Sequence, residues 1–445
     1  MTSPLVSQMV STVKKSSSGS TTSTTTYKYT YDKNGNITEI RNSSNVIQNK
    51  YYYDDLGQLI REDNRAGNYT LLIKYDEAGN ILGKVYVDFT TGTLSTTPTT
   101  TYTYGNSQWC DLLTKINGDT ITYDGVGNPT AIGYNTTLSW QGRQLMSITD
   151  SYIDMVDVYY TTTSYTYNSD GIRTSKNVNG VLHEYILDGS RIVAEKWGNN
   201  LLVYLYDEAG SPIGLKYRTS SYSEGVYDYY FFEKNIQGDI IAVYNSNGTK
   251  IGTYVYDAWG QILYENVLAG TNLDVQIFTE YNPFRYRGYY YDVDTGWYYL
   301  QSRYYNPEWG RFISIDKIDV LVSTPNQLTD KNFYAYCDND PINRIDNGGE
   351  FWEEIGNWLS NAVDSVGDWI NEQTQDIVNL VETFEESIVV DAGIGDGVGL
   401  SIEVSGMEGS FITRNDYYTI RKDAGSDFYI GRAEEFYTDV KGFFL

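Results

Sequence analysis

Three ionisable residues toward the end of the tyrosine-rich part of the chain could do chemistry together: Arg303, Asp316 and Asp346. Two carboxylates held close cannot both ionise comfortably. One keeps a proton, so the pair can serve as acid and base, as an aspartic dyad does. An arginine beside them can hold one carboxylate charged and oriented, or polarise a scissile carbonyl. Spacing alone does not bring the three together, and each aspartate read singly is equally a turn cap. Other chemistries are poorly supplied. The one histidine, His183, sits in the strand-like Val181-Leu182-His183-Glu184-Tyr185, where a structural role is expected. A site needing two histidines is excluded. Cys110 and Cys337 are far apart and form neither a metal motif nor a disulfide framework. No cofactor and no metal site is expected.

The elements that would position these residues are strands. The 445 residues include 45 Tyr and 41 Gly but only 8 Pro, which suits many short strands joined by tight turns. The pattern Tyr-Asp-x-x-Gly recurs every 22 residues at Tyr31, Tyr53 and Tyr75. It returns at Tyr123, Tyr206 and Tyr256, and Tyr167-Asn168 with Gly171 is a variant. A period of that length is the mark of a repeat architecture. Each unit reads as a hairpin: an alternating strand such as Tyr27-Lys28-Tyr29-Thr30-Tyr31, a turn capped by Asp with Gly at positive φ, and a return strand such as Asn36–Ile40. One hairpin is marginal alone, so the units are expected to pair sideways into a long ribbon. The Tyr and Asp of the repeats are assigned structural roles.

This ladder resembles the YD repeats of Rhs proteins, teneurins and the C components of insecticidal Tc toxin complexes. Residues 284–350 carry the more specific part of the resemblance. Asn282-Pro283-Phe284-Arg285-Tyr286-Arg287-Gly288, Arg303-Tyr304-Tyr305-Asn306-Pro307, Gly310-Arg311-Phe312-Ile313-Ser314-Ile315-Asp316 and Asn339-Asp340-Pro341-Ile342-Asn343 resemble the Rhs-associated core. The resemblance implies a mainly β fold: a YD-repeat hairpin ribbon wound as a shell, here short enough to be incomplete or part of a longer one, with a small α+β C-terminal tail. It divides the chain into an N-terminal linker or irregular edge (1–26), the YD-repeat sheet (27–283), the core (284–350) and a variable C-terminal domain (351–445). It also implies self-proteolysis by two aspartates and an arginine, matching Asp316, Asp346 and Arg303, with the cut at Glu350–Phe351. Two prolines of the family pattern are replaced, by Lys317 and Asn347. Proline would stiffen the strand that presents the bond, so slower cleavage is expected.

After Phe351 the ladder stops. Trp352, Ile355, Leu359, Val363, Val366 and Ile370 follow helical spacing, continued by Ile377, Val381, Phe384 and Ile388. A glycine-alternating segment around 393–399 lacks the Lys-Ser/Thr of a phosphate loop. Alternating glycines instead permit close approach of another backbone. The rest reads as strands and turns. The tail has no His and no Cys, which excludes His-dependent nucleases and Cys proteases there. A net charge of −26 argues against duplex nucleic acid as a partner. No run of about 18 apolar residues predicts a membrane helix, and the opening Met1–Val6 lacks the order of a secretory signal. The resemblance implies a secreted or cell-surface protein. Its partners would be its own C-terminal segment as effector cargo, an immunity protein and a secretion apparatus. A reading of a different class is a non-catalytic surface or adhesion module binding carbohydrate or a protein.

Overall fold

The computed structural model describes residues 5–15, 21–89, 97–154, 157–207, 209–223, 225–315, 332–346, 348–349, 352–354, 398–405, 411–415, 418–422 and 427–431. The fold is mainly β, as expected. From Gln8–Lys15 to Ile262–Val267 every strand pairs antiparallel with the next in sequence, a single long meander. Four C-terminal strands extend it beyond its first strand, giving a 27-stranded sheet. Val398–Ser405 lies antiparallel on Gln8–Lys15, with Gln8 opposite Ser405 and Gly399 opposite Lys14. Phe411–Asn415 and Ile262–Val267 each pair on one side only, so among the described residues the sheet is not closed.

The repeat turn explains the sequence pattern atom by atom. At Asp32, Oδ1 accepts the N–H groups of Asn34 (2.8 Å) and Asn36 (2.9 Å). The backbone closes through Asp32 N–H to Asn36 O at 3.0 Å, and Gly35 takes φ of +90°. The carboxylates of Asp54, Asp76, Asp124 and Asp257 repeat this cap. A bulge at each preceding tyrosine shifts the register there. The tyrosine hydroxyl then donates to a carbonyl in the hairpin before: Tyr53 to Ile37 O, Tyr75 to Leu59 O and Tyr256 to Ile240 O, each at 2.7 Å and each sixteen residues back. Phenylalanine would fill the same space and leave that buried carbonyl short of a partner.

Among residues 1–26, where a linker or irregular edge is expected, the described ones include two strands. These are Gln8–Lys15 and the first half of Thr21–Tyr31, paired along their length. The run of threonines that reads as low complexity is also β-branched, and branched side chains favour extended backbone once a partner strand is available. The helix expected across 352–388 lies outside the described residues, apart from Trp352–Glu354, which form a short strand. The strands expected further on are present at Phe411–Asn415, Tyr418–Lys422 and Asp427–Gly431.

The core segment packs against the ribbon and ties its repeats together. It begins with a four-stranded sheet of Tyr290–Asp292, Trp297–Leu300, Arg303–Asn306 and Arg311–Phe312. Buried tyrosines of this segment reach backbone at the repeat turns. Tyr286, Tyr305 and Tyr298 donate to the carbonyls of Ala258 (2.9 Å), Trp259 (2.6 Å) and Gly260 (2.8 Å). Tyr334 donates to Gly127 O at 2.9 Å, Asn339 Nδ2 to Gly79 O at 2.7 Å, and Asn343 Oδ1 accepts Ile37 N–H at 2.7 Å. Cys337, Asp338 and Asn339 all lie in the left-handed region, with φ of 52°, 49° and 62°. Such backbone costs roughly 1–2 kcal/mol per residue, and the anchoring of Asn339 to the third repeat turn opposes its relaxation. The deepest link is ionic: Arg173 of the ribbon grips Asp292 of the core, and neither side chain is exposed.

Candidate functional site

Two hairpins of the core bring Arg303 to Asp346. Leu300 and Arg303 face each other across a tight turn of Gln301 and Ser302, which starts the Arg303–Asn306 strand. The second hairpin pairs Arg344–Asp346 with Trp352–Glu354, Asp346 opposite Trp352. Between these two strands the described residues are Gly348 and Gly349.

The Arg303 guanidinium is buried and divides its donors between Asp346, Gly349 and Phe333. Nη2 lies 3.5 Å from Asp346 Oδ2. Nε donates to the carbonyl of Gly349, and Nη1 donates to Phe333 O at 3.2 Å. Its flat face lies 3.5 Å from the centre of the Phe312 ring, a contact that orients the fork as well as attracting it. Asp346 is 2 % exposed. Its Oδ1 accepts the N–H groups of Gly348 (3.3 Å) and Gly349 (2.7 Å), and its own N–H donates to the Tyr289 hydroxyl at 3.0 Å. Burial, reinforced by the charge of Asp346, pushes the nearby Cys337 thiol well up. This cysteine is held neutral and is unsuited to nucleophilic attack.

A cavity of about 380 Å³ lies against Asp346 and Gly348, bordered also by Arg191, Tyr206, Tyr289 and Gln301. It is roomy and polar enough to hold several waters beside Asp346 and Gly348. Of the residues singled out in the sequence, Arg303 and Asp346 meet. Asp316, Glu350 and Phe351 lie outside the described residues. The residue before Asp316 is anchored, since Arg143 Nη2 donates to Ile315 O at 2.9 Å. Sequence reasoning passed over Ser302, whose Oγ donates to Gly348 O at 2.7 Å. Nothing in a lone serine before Arg303 marks it out; the contact exists only because two hairpins cross.

With this geometry in view, comparison with known proteins is informative. Residues 201–342 match the Teneurin YD-shell family. The tRNA nuclease WapA of Bacillus subtilis strain 168 is 33 % identical over 304 residues, 67 % of this chain and 12 % of that protein. The chain is an Rhs-type YD-repeat protein. The toxin protein Tse5 of Pseudomonas aeruginosa is 25 % identical over 372 residues, covering 72 % of this Rhs-type chain and 26 % of the toxin. Among solved structures, the Photorhabdus luminescens Tc holotoxin pore shares the fold with a TM-score of 0.56 at 19 % identity, over 76 % of this chain and 17 % of that one. The Rhs-type chain thus spans about an eighth of the length of its WapA relatives. Shells of this kind occur in toxin-associated proteins.

Proposed function

We propose that this Rhs-type ribbon carries a C-terminal effector segment, residues 351–445, and cuts the chain once between Glu350 and Phe351 to free that segment from its covalent tether. One observation carries the reading: a single buried guanidinium, Arg303, holds both the Asp346 carboxylate and the Gly349 carbonyl, one residue before the junction. In the reaction, a carboxylate of the Asp316–Asp346 pair takes a proton from water. The water oxygen bonds to the Glu350 carbonyl carbon, the C–N bond breaks, and a proton passes to the nitrogen of Phe351. One water is consumed, and the products are a carboxylate and an amine. Arg303 supplies charge stabilisation next to the bond. Partners that follow from this reading are an immunity protein against the freed segment and a secretion apparatus.

The cut would not by itself separate the pieces. Trp352–Glu354 stays paired with Arg344–Asp346, and Val398–Ser405 with Gln8–Lys15. Intact-mass measurement of purified protein in denaturant tests the proposal. Two chains are expected, the second starting at Phe351, and Asp346→Asn should give one. A wild-type chain that stays whole over days overturns it. A second reading, a non-catalytic surface or adhesion module, draws support from Asp346 Oδ1, which accepts two loop N–H groups as a plain turn cap would. It expects one uncut chain and no effect of Asp346→Asn on covalent state.

A further inference from the structure

Gly348-Gly349, the dipeptide that precedes Glu350, is held on all four of its backbone polar atoms. Asp346 Oδ1 takes both N–H groups of Gly348 and Gly349. Arg303 Nε takes the Gly349 carbonyl. The Gly348 carbonyl receives the Ser302 Oγ–H at 2.7 Å and, at 3.2 Å, a share of the Ser302 N–H, whose shorter bond (2.6 Å) goes to Leu300 O. The fit is also steric. Gly349 has φ of +75°, and a Cβ there would stand 2.7 Å from Leu300 O and 2.8 Å from Ser302 Oγ. Around Gly348 a Cβ would meet nothing within 4 Å. The Gln301-Ser302 turn therefore forms a close wall beside Gly349, where only glycine fits.

We propose that Ser302 is a positioning residue for self-cleavage, fixing by its hydroxyl the register in which the loop passes the carboxylate pair. This rests on the self-cleavage reading above. A carboxylate can activate water toward only the carbonyl within its reach, and a shift of one residue along the loop moves a peptide bond by about 3.5 Å. The Ser302 donors on the Gly348 carbonyl, the hydroxyl foremost, do not activate the bond after Glu350. They stop the loop from sliding, so that each encounter between water and chain occurs at the same bond.

The test follows the full chain by intact mass over time, for wild type, Ser302→Ala, Ser302→Thr and Asp346→Asn. Ser302→Ala should cut about tenfold more slowly, the loss of one well-made hydrogen bond in the positioned state. It should also release fragments with ragged starts on either side of Phe351. Ser302→Thr keeps the hydroxyl and should restore both rate and a single start. Ser302 is half-buried at a turn, and a thermal midpoint for Ser302→Ala within about a degree of wild type should show that the fold is intact. Wild type that cuts, with Ser302→Ala cutting at the same rate and the same bond, overturns the positioning role and leaves the cleavage reading standing. Fragments starting at Gly349 would also overturn it, because Ser302 would then act directly on the scissile carbonyl. A wild type that never cuts defeats the underlying reading instead.

Discussion

Replacing Asp292 by Asn should cost this fold about 3–5 kcal/mol, because it breaks a buried ion pair from one side only. Asp292 receives Arg173 Nη1 at 2.5 Å and Nη2 at 3.1 Å, and Lys176 Nζ at 3.0 Å. Arg173 and Asp292 are both fully buried, and the guanidinium is 4.3 Å from the Tyr299 ring centre and 4.9 Å from that of Tyr290. Asparagine fits the space but takes away the one carboxylate that both cations bond, leaving Asp294, 2.6 Å from Lys176, and the more distant charge of Glu195 to offset them. Burial pushes the Asp292 carboxyl up, but Arg173 and Lys176 together pull it below the ordinary carboxylate range. A carboxylate whose folded pKa is depressed contributes stability that is full above its unfolded pKa and lost as pH falls through the folded one. The gap between wild type and Asp292→Asn should therefore be widest at neutral pH and should close below about pH 4. Urea unfolding followed by tryptophan fluorescence, run at several pH values, measures it. The double replacement Arg173→Met with Asp292→Leu removes both charges and should lie closer to wild type than the single one. An Asp292→Asn protein within about 1 kcal/mol of wild type at pH 7, or a gap indifferent to acid, would refute the reasoning.

Tyr75→Phe should cost about 1 kcal/mol, since the hydroxyl serves the carbonyl of fully buried Leu59 at 2.7 Å. Tyr256→Phe, the same bond in another repeat, should cost as much, and denaturation midpoints of the two singles and the double should add. Gly349→Ala should abolish or strongly slow self-cleavage, because its φ is +75° and its new methyl would meet Leu300 O at 2.7 Å. Gly348→Ala, with open space around it, should cut at a rate near wild type in the same time course. Burial is the largest cause that raises Glu62, taking it from 4.5 to about 7. The folded state then binds more protons than the unfolded between those values, so this residue makes stability fall as pH rises through that window. Thermal midpoints from pH 4 to 8 should show Glu62→Gln gaining on wild type toward the alkaline end, by on the order of 3 kcal/mol in full. Parallel curves would count against that assignment.

The ladder was legible in the sequence because each repeat turn is local. Asp32 and Gly35 make their contacts within five residues, so spacing alone specifies the geometry. The reason for tyrosine over phenylalanine was not legible in the same way, since the hydroxyl of Tyr53 finds Ile37 only after two hairpins have paired in register. The threonine run at 21–26 misled for a related reason. Its composition is that of a linker, and only a partner such as Gln8–Lys15 makes it a strand. Arg173 and Asp292 gave no signal, because strands 119 residues apart decide whether a charge is buried and paired.

Asp346 concentrates the difficulty. Its position before two glycines announces a turn cap, and Oδ1 is one. Its other oxygen faces Arg303 across a contact that no spacing predicts, and only the family resemblance paired the two beforehand. The two roles do not compete. A cap that fixes Gly348 and Gly349 also anchors the chain that leads into the proposed junction. Had Oδ1 been left in solvent, Gly348 and Gly349 would be held less tightly and the acid would have a less constant target. Capping is thus the condition under which cleavage at a single bond becomes chemically plausible, and removing Asp346 should disturb the register of the loop along with any proton transfer. For that reason Asp346→Asn, which keeps one carbonyl oxygen for the cap, is a sharper probe of the carboxylate's acid–base role than Asp346→Ala, which would remove both at once.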